Sequence, residues 1–333
     1  MLEHGGRLRM AARDIGIPLA DWLDLSTGIS PWSWLAESGY QATPASWLRL
    51  PEDEDGLEVA AADYFGAEAL PLAGSQAAIQ ALPRLRSVGR VGVLQPSYNE
   101  HAEAWRRAGH SVLGLAATSI EAQVEMLDVL LLCNPNNPDG QRFAPATLLA
   151  WHARLAARGG WLVVDEAFID ATPTDSLARY CPRPGLIVLR SLGKFFGLAG
   201  ARVGFALCEP ALRHALRERL GPWPLAGPAR EVATMALRDR AWQHRQIERL
   251  HAASARLADD LNAAGLVPTG GCALFQQIET EGAQRLQAAL ARQGILVRTF
   301  ATPGRLRLGL PGDVAQRQRL VGALSTLGHK NND

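Results

Sequence analysis

Ser191-Leu192-Gly193-Lys194-Phe195-Phe196-Gly197-Leu198-Ala199-Gly200-Ala201-Arg202-Val203-Gly204 follows directly on a strand-like apolar run, Leu186-Ile187-Val188-Leu189. The stretch is a Gly-rich turn that presents one lysine. A hydroxyl, Ser191, stands three residues before it, and a guanidinium, Arg202, eight residues after. Phe195 and Phe196 adjoin the lysine. An amine beside apolar rings is poorly solvated, so its neutral, nucleophilic form is favoured. Most lysines on loops are simply solvated. Here Ser191 and Arg202 flank Lys194 as phosphate ligands would, which points to a covalently held, phosphate-bearing cofactor, pyridoxal 5′-phosphate (PLP).

Working outward, further segments of the same character follow strand-like runs. Leu72-Ala73 leads into Gly74-Ser75-Gln76, which opens a helix ending near Arg86. Taken alone this is an ordinary helix cap with Ser75 as N-cap, but amides at a helix N-terminus also bind phosphate well, and Lys194 tips the reading that way. Val91 to Leu94 runs into Gln95-Pro96-Ser97-Tyr98-Asn99-Glu100-His101. Leu127 to Cys133 reads as a strand buried on both faces and ends in Asn134-Pro135-Asn136-Asn137-Pro138-Asp139-Gly140. Trp161 to Val164 ends in Asp165-Glu166-Ala167-Phe168. With a pyridine cofactor, Asp165 sits against the ring nitrogen and keeps it protonated, the electron sink for a bond broken at the substrate's α-carbon. Open parallel sheets bind ligands at the carboxyl ends of their strands, so Gly74, Tyr98, Asn137, Asp165 and Lys194 can converge. No GxGxxG follows a strand, which leaves a dinucleotide site without comparable support.

The lysine segment, together with NPNNPxG after a buried strand, resembles the fold-type I PLP enzymes, in the branch containing histidinol-phosphate aminotransferases and threonine-phosphate decarboxylases. That resemblance spans nearly the whole chain and implies a mostly parallel α/β sheet with helices on both faces and a smaller α+β domain. It casts Tyr98 as the aromatic stacked on the pyridine ring and His101 as the partner of Asp165. Asn137 becomes the amide bonding the cofactor's 3′-oxygen, beside the substrate. Gly74, Ser75, Gln76, Ser191 and Arg202 complete the cofactor set around Lys194.

The chain's opening, His4-Gly5-Gly6-Arg7, is followed by Leu25-Ser26-Thr27-Gly28-Ile29-Ser30-Pro31. Amides freed by paired glycines make an anion seat to which His4 adds a charge-assisted bond. The combination looks like the start of the threonine-phosphate decarboxylases, in which this segment closes over the substrate; Ser30 stands where those enzymes have Asn. Near the other end, Arg307 in Leu306-Arg307-Leu308 matches the clamp on the substrate's α-carboxylate, and Arg298 the ligand of its phosphate, with His4, Gly5 and Gly6. Arg305 shares a strand face with Arg307, so a part in carboxylate binding stays open for it.

Two departures separate the branch's members. Related aminotransferases carry a tyrosine where Leu50 stands and resemble DEAY where this chain has Asp165-Glu166-Ala167-Phe168. Leu50 and Phe168 supply no hydroxyl donor. With the HGG opening, they favour PLP-dependent decarboxylation of L-threonine O-3-phosphate, giving (R)-1-amino-2-propanol O-2-phosphate for the cobalamin nucleotide loop. A histidinol-phosphate aminotransferase is the alternative; a non-catalytic PLP-fold protein would show a damaged lysine motif or an added DNA-binding segment.

The remaining expectations come from composition and pattern. At 333 residues the chain can bury a substantial core, and a net charge of +1 recommends no nucleic-acid partner. Cys133, Cys181, Cys208 and Cys272 lack metal-like spacing, and no apolar run reaches transmembrane length, so a cytoplasmic enzyme is expected. Residues 1–40 form an N-terminal segment belonging partly to the small domain, 41–220 the large PLP-binding domain, and 221–333 an interdomain helix, Pro228 to about Asn262, plus a small α+β domain. A homodimer is implied by the resemblance.

Overall fold

The computed structural model describes residues 4–300 and 304–328; the rest of the expected terminal segments lies outside the described residues. In chain order the strands are β1 (Leu23–Asp24), β2 (Leu70–Ala73), β3 (Arg90–Leu94), β4 (Ser111–Leu115), β5 (Val129–Cys133), β6 (Trp161–Asp165), β7 (Leu186–Ser191) and β8 (Val203–Leu207), followed by β9 (Pro268–Cys272), β10 (Phe275–Glu279), β11 (Ile295–Leu296), β12 (Arg298–Thr299) and β13 (Arg305–Gly309).

One compact unit comprises Ser33–Asn137 and Arg142–Arg245. Its seven-stranded sheet has the order β2-β8-β7-β6-β5-β3-β4. β4, β3, β5, β6 and β7 are parallel neighbours, while β8 runs antiparallel between β7 and β2. Every residue of β5 and β8 is buried, as expected of strands covered on both faces. Leu131, Val163, Ile187 and Leu189 join Trp105 and Leu82 in one core cluster. Each such side chain, fully buried, contributes about 1.5–3 kcal/mol. The parallel strands end at Leu94, Leu115, Cys133, Asp165 and Ser191, so the loops that follow β3, β5, β6 and β7 leave from one edge of the sheet. Antiparallel β8 starts at that edge, which puts Arg202 there as well.

The other unit comprises Met1–Trp32, Pro138–Gln141 and Gln246–Asp333. It holds an antiparallel sheet, β12-β13-β10-β9, and the short parallel pair β1 and β11. Parallel pairing of Leu23 with Ile295 and of Asp24 with Leu296 docks the N-terminal segment here.

The boundaries expected from sequence need correction. Residues 33–40 and 221–245 belong to the sheet-bearing unit, and 138–141 leave it. The expected continuous helix from Pro228 is two helices, Gly227–Arg238 and Arg240–Ala263. Asp239 lies between them with φ −82° and ψ 76°, and its Oδ1 accepts the Trp242 amide at 2.9 Å. A carboxylate that caps a helix start breaks a pattern whose apolar spacing continues through it. The edge strand β4 escaped the pattern because its side chains are largely exposed and do not alternate.

Candidate active site

The lysine turn is fixed by its own backbone and by the rings behind it. Leu192 donates to the Val203 carbonyl at 3.1 Å, Leu198 to Leu192 at 3.2 Å, and Gly197 to Lys194 at 3.2 Å. Phe195 and Phe196 are fully buried, and Trp242 packs on both at 5.7 Å between centroids, stacked on Phe196. The ring placed over the lysine is that of Phe168, 5.4 Å from Nζ. Phe168, read from sequence for the hydroxyl it lacks, thus provides an apolar face to the amine.

Beside this turn, Gly74 (φ 74°) precedes the helix Ser75–Ala81 as its N-cap, so Ser75 is the first helical residue and does not cap it. Its positive φ is a conformation that side chains strain to adopt, and a Cβ at Gly74 would lie 2.7 Å from Arg202 Nη2, which places that guanidinium against the turn. Cross-strand pairing sets Ser191 opposite Gly204, and a Cβ at Gly204 would meet the Ser75 amide nitrogen at 2.3 Å. Ser75, Ser191 and Arg202 therefore gather around one spot. Gln76 is placed differently: its side chain is bonded to Tyr98 Oη at 3.3 Å and Glu100 at 3.1 Å, which leaves its amide as its contribution to an anion.

Asp165 closes β6 with its carboxylate held on both oxygens. Oδ1 accepts the Ala167 amide at 3.1 Å, and Oδ2 meets His101 Nε2 at 2.9 Å. Burial pushes the His101 imidazole down, but its bonds to Asp165 and Cys133 outweigh burial and hold it raised, to about 10. The bond to Asp165 thus favours the charged, imidazolium form of His101. Tyr98 stands edge-on to His101, ring centroids 5.8 Å apart. Asn137 ends the buried turn after β5, in which Asn134 exchanges hydrogen bonds with Phe143 and Asn136 binds Ser97 and the Pro96 carbonyl.

This donor set fits PLP. Helix-start amides, a hydroxyl and a guanidinium suit a phosphate dianion, a buried carboxylate backed by His101 suits a pyridinium N–H, and an amine against an apolar ring suits an aldehyde.

In the other unit, β12 and β13 set Arg298 directly opposite Arg307. Like charges so placed repel, so the pair is set up for anions. Arg307 is buried between the Phe275 ring at 4.9 Å and the Phe300 ring at 5.8 Å. Burial, then repulsion from Arg298, lowers its guanidinium to about 10. Arg305, on the same face, is ion-paired through Nε with Glu279 at 2.9 Å, which commits part of its guanidinium. A cavity of about 280 Å³ is lined by His4, Gly5, Gly6, Ser26, Arg298 and Thr299, among others.

Two N-terminal expectations change. The Gly6 amide is taken by Ser26 Oγ at 2.8 Å and is not presented to the cavity. Ser30 has no capacity left for substrate. Its buried Oγ donates to the Trp32 carbonyl (3.0 Å) and accepts from the Trp32 amide (3.1 Å) and Gln246 Nε2 (2.7 Å).

A model of the aminotransferase class I and II family matches residues 50–324. The chain belongs to that family. Members of this PLP-dependent family resemble it over its full length. A threonine-phosphate decarboxylase of Pseudomonas aeruginosa is 61% identical over 332 residues, 99% of this chain and 98% of the relative. One from a Sinorhizobium species is 40% identical, covering 98% of each chain. A solved histidinol-phosphate aminotransferase of Sinorhizobium meliloti, in complex with pyridoxal-5′-phosphate, superposes with a TM-score of 0.79 at 19% identity, covering 99% of this chain and 96% of that one.

In this aminotransferase-family chain, Ser30→Ala should cost about 1–3 kcal/mol of stability, because buried partners lose their bonds. Its kcat/KM should stay within about twofold, since Oγ already has its partners; urea melting and steady-state kinetics check both. Sequence reasoning also gave no role to Ser26, although it lies in the Leu25–Pro31 segment, or to the buried group Arg190, Glu166, Asp170 and Ser176, two of which adjoin Ser191 and Asp165 in the chain. Arg190 bonds all three of these side chains. An arginine inside an apolar strand beside an Asp-Glu pair was the available signal.

Proposed function

We propose that this chain is a PLP-dependent carboxy-lyase that converts L-threonine O-3-phosphate into (R)-1-amino-2-propanol O-2-phosphate and CO2, supplying the cobalamin nucleotide loop. The observation that carries the reading is 61% identity, from end to end, to a relative named for this reaction.

Bound PLP would supply an aldehyde for the substrate amine and a pyridinium that withdraws the electron pair of the breaking Cα–carboxylate bond. The chain's residues divide the remaining work. The Ser75 and Gln76 amides, Ser191 and Arg202 would hold the cofactor phosphate. Asp165, itself held by His101, would keep the ring nitrogen protonated, with Tyr98 to pack on the ring and Asn137 to bond its 3′-oxygen. Lys194 Nζ would hold the cofactor through its aldehyde and is the candidate to return a proton to Cα. Arg307 grips the substrate carboxylate with two parallel N–H bonds, while His4 and Arg298 take the phosphate. The scissile bond is thereby chosen by anion contacts. Phe168 offers no phenol to the 3′-oxygen, which favours the lyase over an aminotransferase. The four buried thiols support a reducing, cytoplasmic setting, and the exposed run Trp47, Leu48 and Leu50 supports a homodimer.

Purified protein loaded with PLP and given threonine phosphate should release CO2 and aminopropanol phosphate in equal amounts. Consumption of histidinol phosphate that depends on a keto acid, with no CO2, would overturn the reading. Arg307→Lys should lower kcat/KM about 10- to 100-fold, because an ammonium keeps the charge but loses the fork. Cofactor absorbance should be unchanged in that variant.

A further inference from the structure

Ser26 is 1% exposed, and the N-terminal strap and Arg307 meet on it. Its Oγ donates to Asp24 Oδ1 at 2.6 Å and accepts the Gly6 amide at 2.8 Å. Its own amide donates to the same Asp24 oxygen at 2.9 Å. Its carbonyl oxygen accepts Arg307 Nη2 at 2.8 Å. Gly5 passes so close over this carbonyl that a Cβ there would lie 2.3 Å from the oxygen. The hydroxyl is thus oriented by Asp24, with its hydrogen committed to the carboxylate and a lone pair turned to the strap. The main chain of the same residue faces the guanidinium. Ser26 also lines the cavity that contains His4 and Arg298.

We propose that Ser26 is a positioning residue that couples the His4-Gly5-Gly6 strap to Arg307, so that the phosphate and carboxylate contacts of one substrate are set together. This rests on the assignment of those contacts above. A strap displaced from Ser26 carries His4 away from the cavity, and it also removes the backbone packed over the carbonyl that holds Arg307. Substrate binding weakens at both of its anions, but Arg307 keeps its bond to the Ser26 carbonyl and still orients the bound carboxylate, so the loss falls on KM.

The test uses the full-length, PLP-loaded protein. Ser26→Ala keeps the carbonyl that faces Arg307 and removes only Oγ. Its KM for threonine phosphate should rise on the order of tenfold, the scale of one or two hydrogen bonds, with kcat within about twofold. Tryptic cleavage after Arg7, followed by mass spectrometry without substrate, should become several-fold faster, and Ser26→Thr should restore both values. His4→Ala should lose most of its effect on KM in the Ser26→Ala background. Gly5→Ala, which forces a methyl against the Ser26 carbonyl, should reproduce the faster cleavage by an independent route. Wild-type cleavage rates in Ser26→Ala and Gly5→Ala, or additive effects of Ser26→Ala and His4→Ala, would overturn the proposal. If the unaltered protein released no CO2 from threonine phosphate, the functional reading would fall, while the cleavage measurements would still decide whether Ser26 holds the strap.

Discussion

Lys194→Ala should abolish CO2 release from threonine phosphate, by at least about 10⁴-fold, and should also erase the visible absorbance of cofactor joined to the chain. Both losses follow from one amine. Nζ is the group that can hold an aldehyde covalently, and it stands 5.4 Å from the Phe168 ring, where an apolar face replaces water. The fold should survive, because Lys194 is only half-buried and the buried anchors of the turn are Phe195 and Phe196, both packed against Trp242. Thermal or urea midpoints are expected within about 1 kcal/mol of the unaltered protein. The chain contains two lysines, Lys194 and Lys330, so peptide mapping after chemical reduction of the loaded protein gives an unambiguous readout. Cofactor found on the Lys330 peptide, or absorbance retained in Lys194→Ala, would sink the assignment.

Arg190→Met should cost about 3–5 kcal/mol of folding free energy, the expected penalty for breaking a buried charge network from one side. The guanidinium bonds Asp170, and its Nη1 reaches Glu166 at 3.5 Å and Ser176 at 3.2 Å. Ser176 in turn donates to Glu166 at 2.5 Å, and Tyr64 donates to Asp170 at 2.9 Å. Methionine keeps the packing against Phe65, over which Arg190 lies at 4.6 Å, but strands two carboxylates in the interior. The penalty should depend on pH. Burial raises Glu166 from its ordinary 4.5 to about 7, against the pull of Arg190 and of its hydrogen bonds from Ser176 and the Leu177 amide. A carboxyl raised on folding binds its proton more tightly in the folded chain. Its contribution is complete below about pH 4.5 and is lost as pH rises through about 7. Without Arg190 the value moves higher still, so the variant should be less impaired at pH 5 than at pH 8. Adding Glu166→Gln and Asp170→Asn should recover much of the loss at pH 8. Urea melts at the two pH values check this, and a pH-independent penalty below about 1 kcal/mol would contradict it. Asp165 and Ser191 are the chain neighbours of Glu166 and Arg190, so a loosened network should also weaken cofactor binding.

What could be read directly lay where local pattern and chemistry coincide. Leu186 to Leu189, Val129 to Cys133 and Trp161 to Val164 are short continuous apolar runs rich in branched residues and bounded by turn signals, the pattern of strands covered on both faces, and all three are such strands. The loops that follow them carry the chemistry, and parallel strands deliver such loops to one edge. That is why Tyr98, Asn137, Asp165 and Lys194 could be grouped before any contact was known. His101 was placed beside Asp165 by resemblance, and the 2.9 Å bond agrees with it.

What pattern could not supply were effects of long-range packing. Asp239 ends one helix and starts the next because its side chain caps Trp242, although the apolar spacing runs on through it. Arg305 and Arg307 share one strand face in any alternating reading, and only the pairing of β10 with β13 gives Arg305 to Glu279. Ser30 and Gln76 had plausible free polar groups until Gln246, Tyr98 and Glu100 were found to occupy them. Ser26 is joined to Arg307 across 281 positions of sequence. The chain by itself determined which residues have the right chemistry and which edge of the sheet carries them, since both follow from local periodicity and side-chain type. The tertiary structure alone decided whose hydrogen-bonding capacity is already used, because a polar group's availability depends on partners that sequence spacing does not encode.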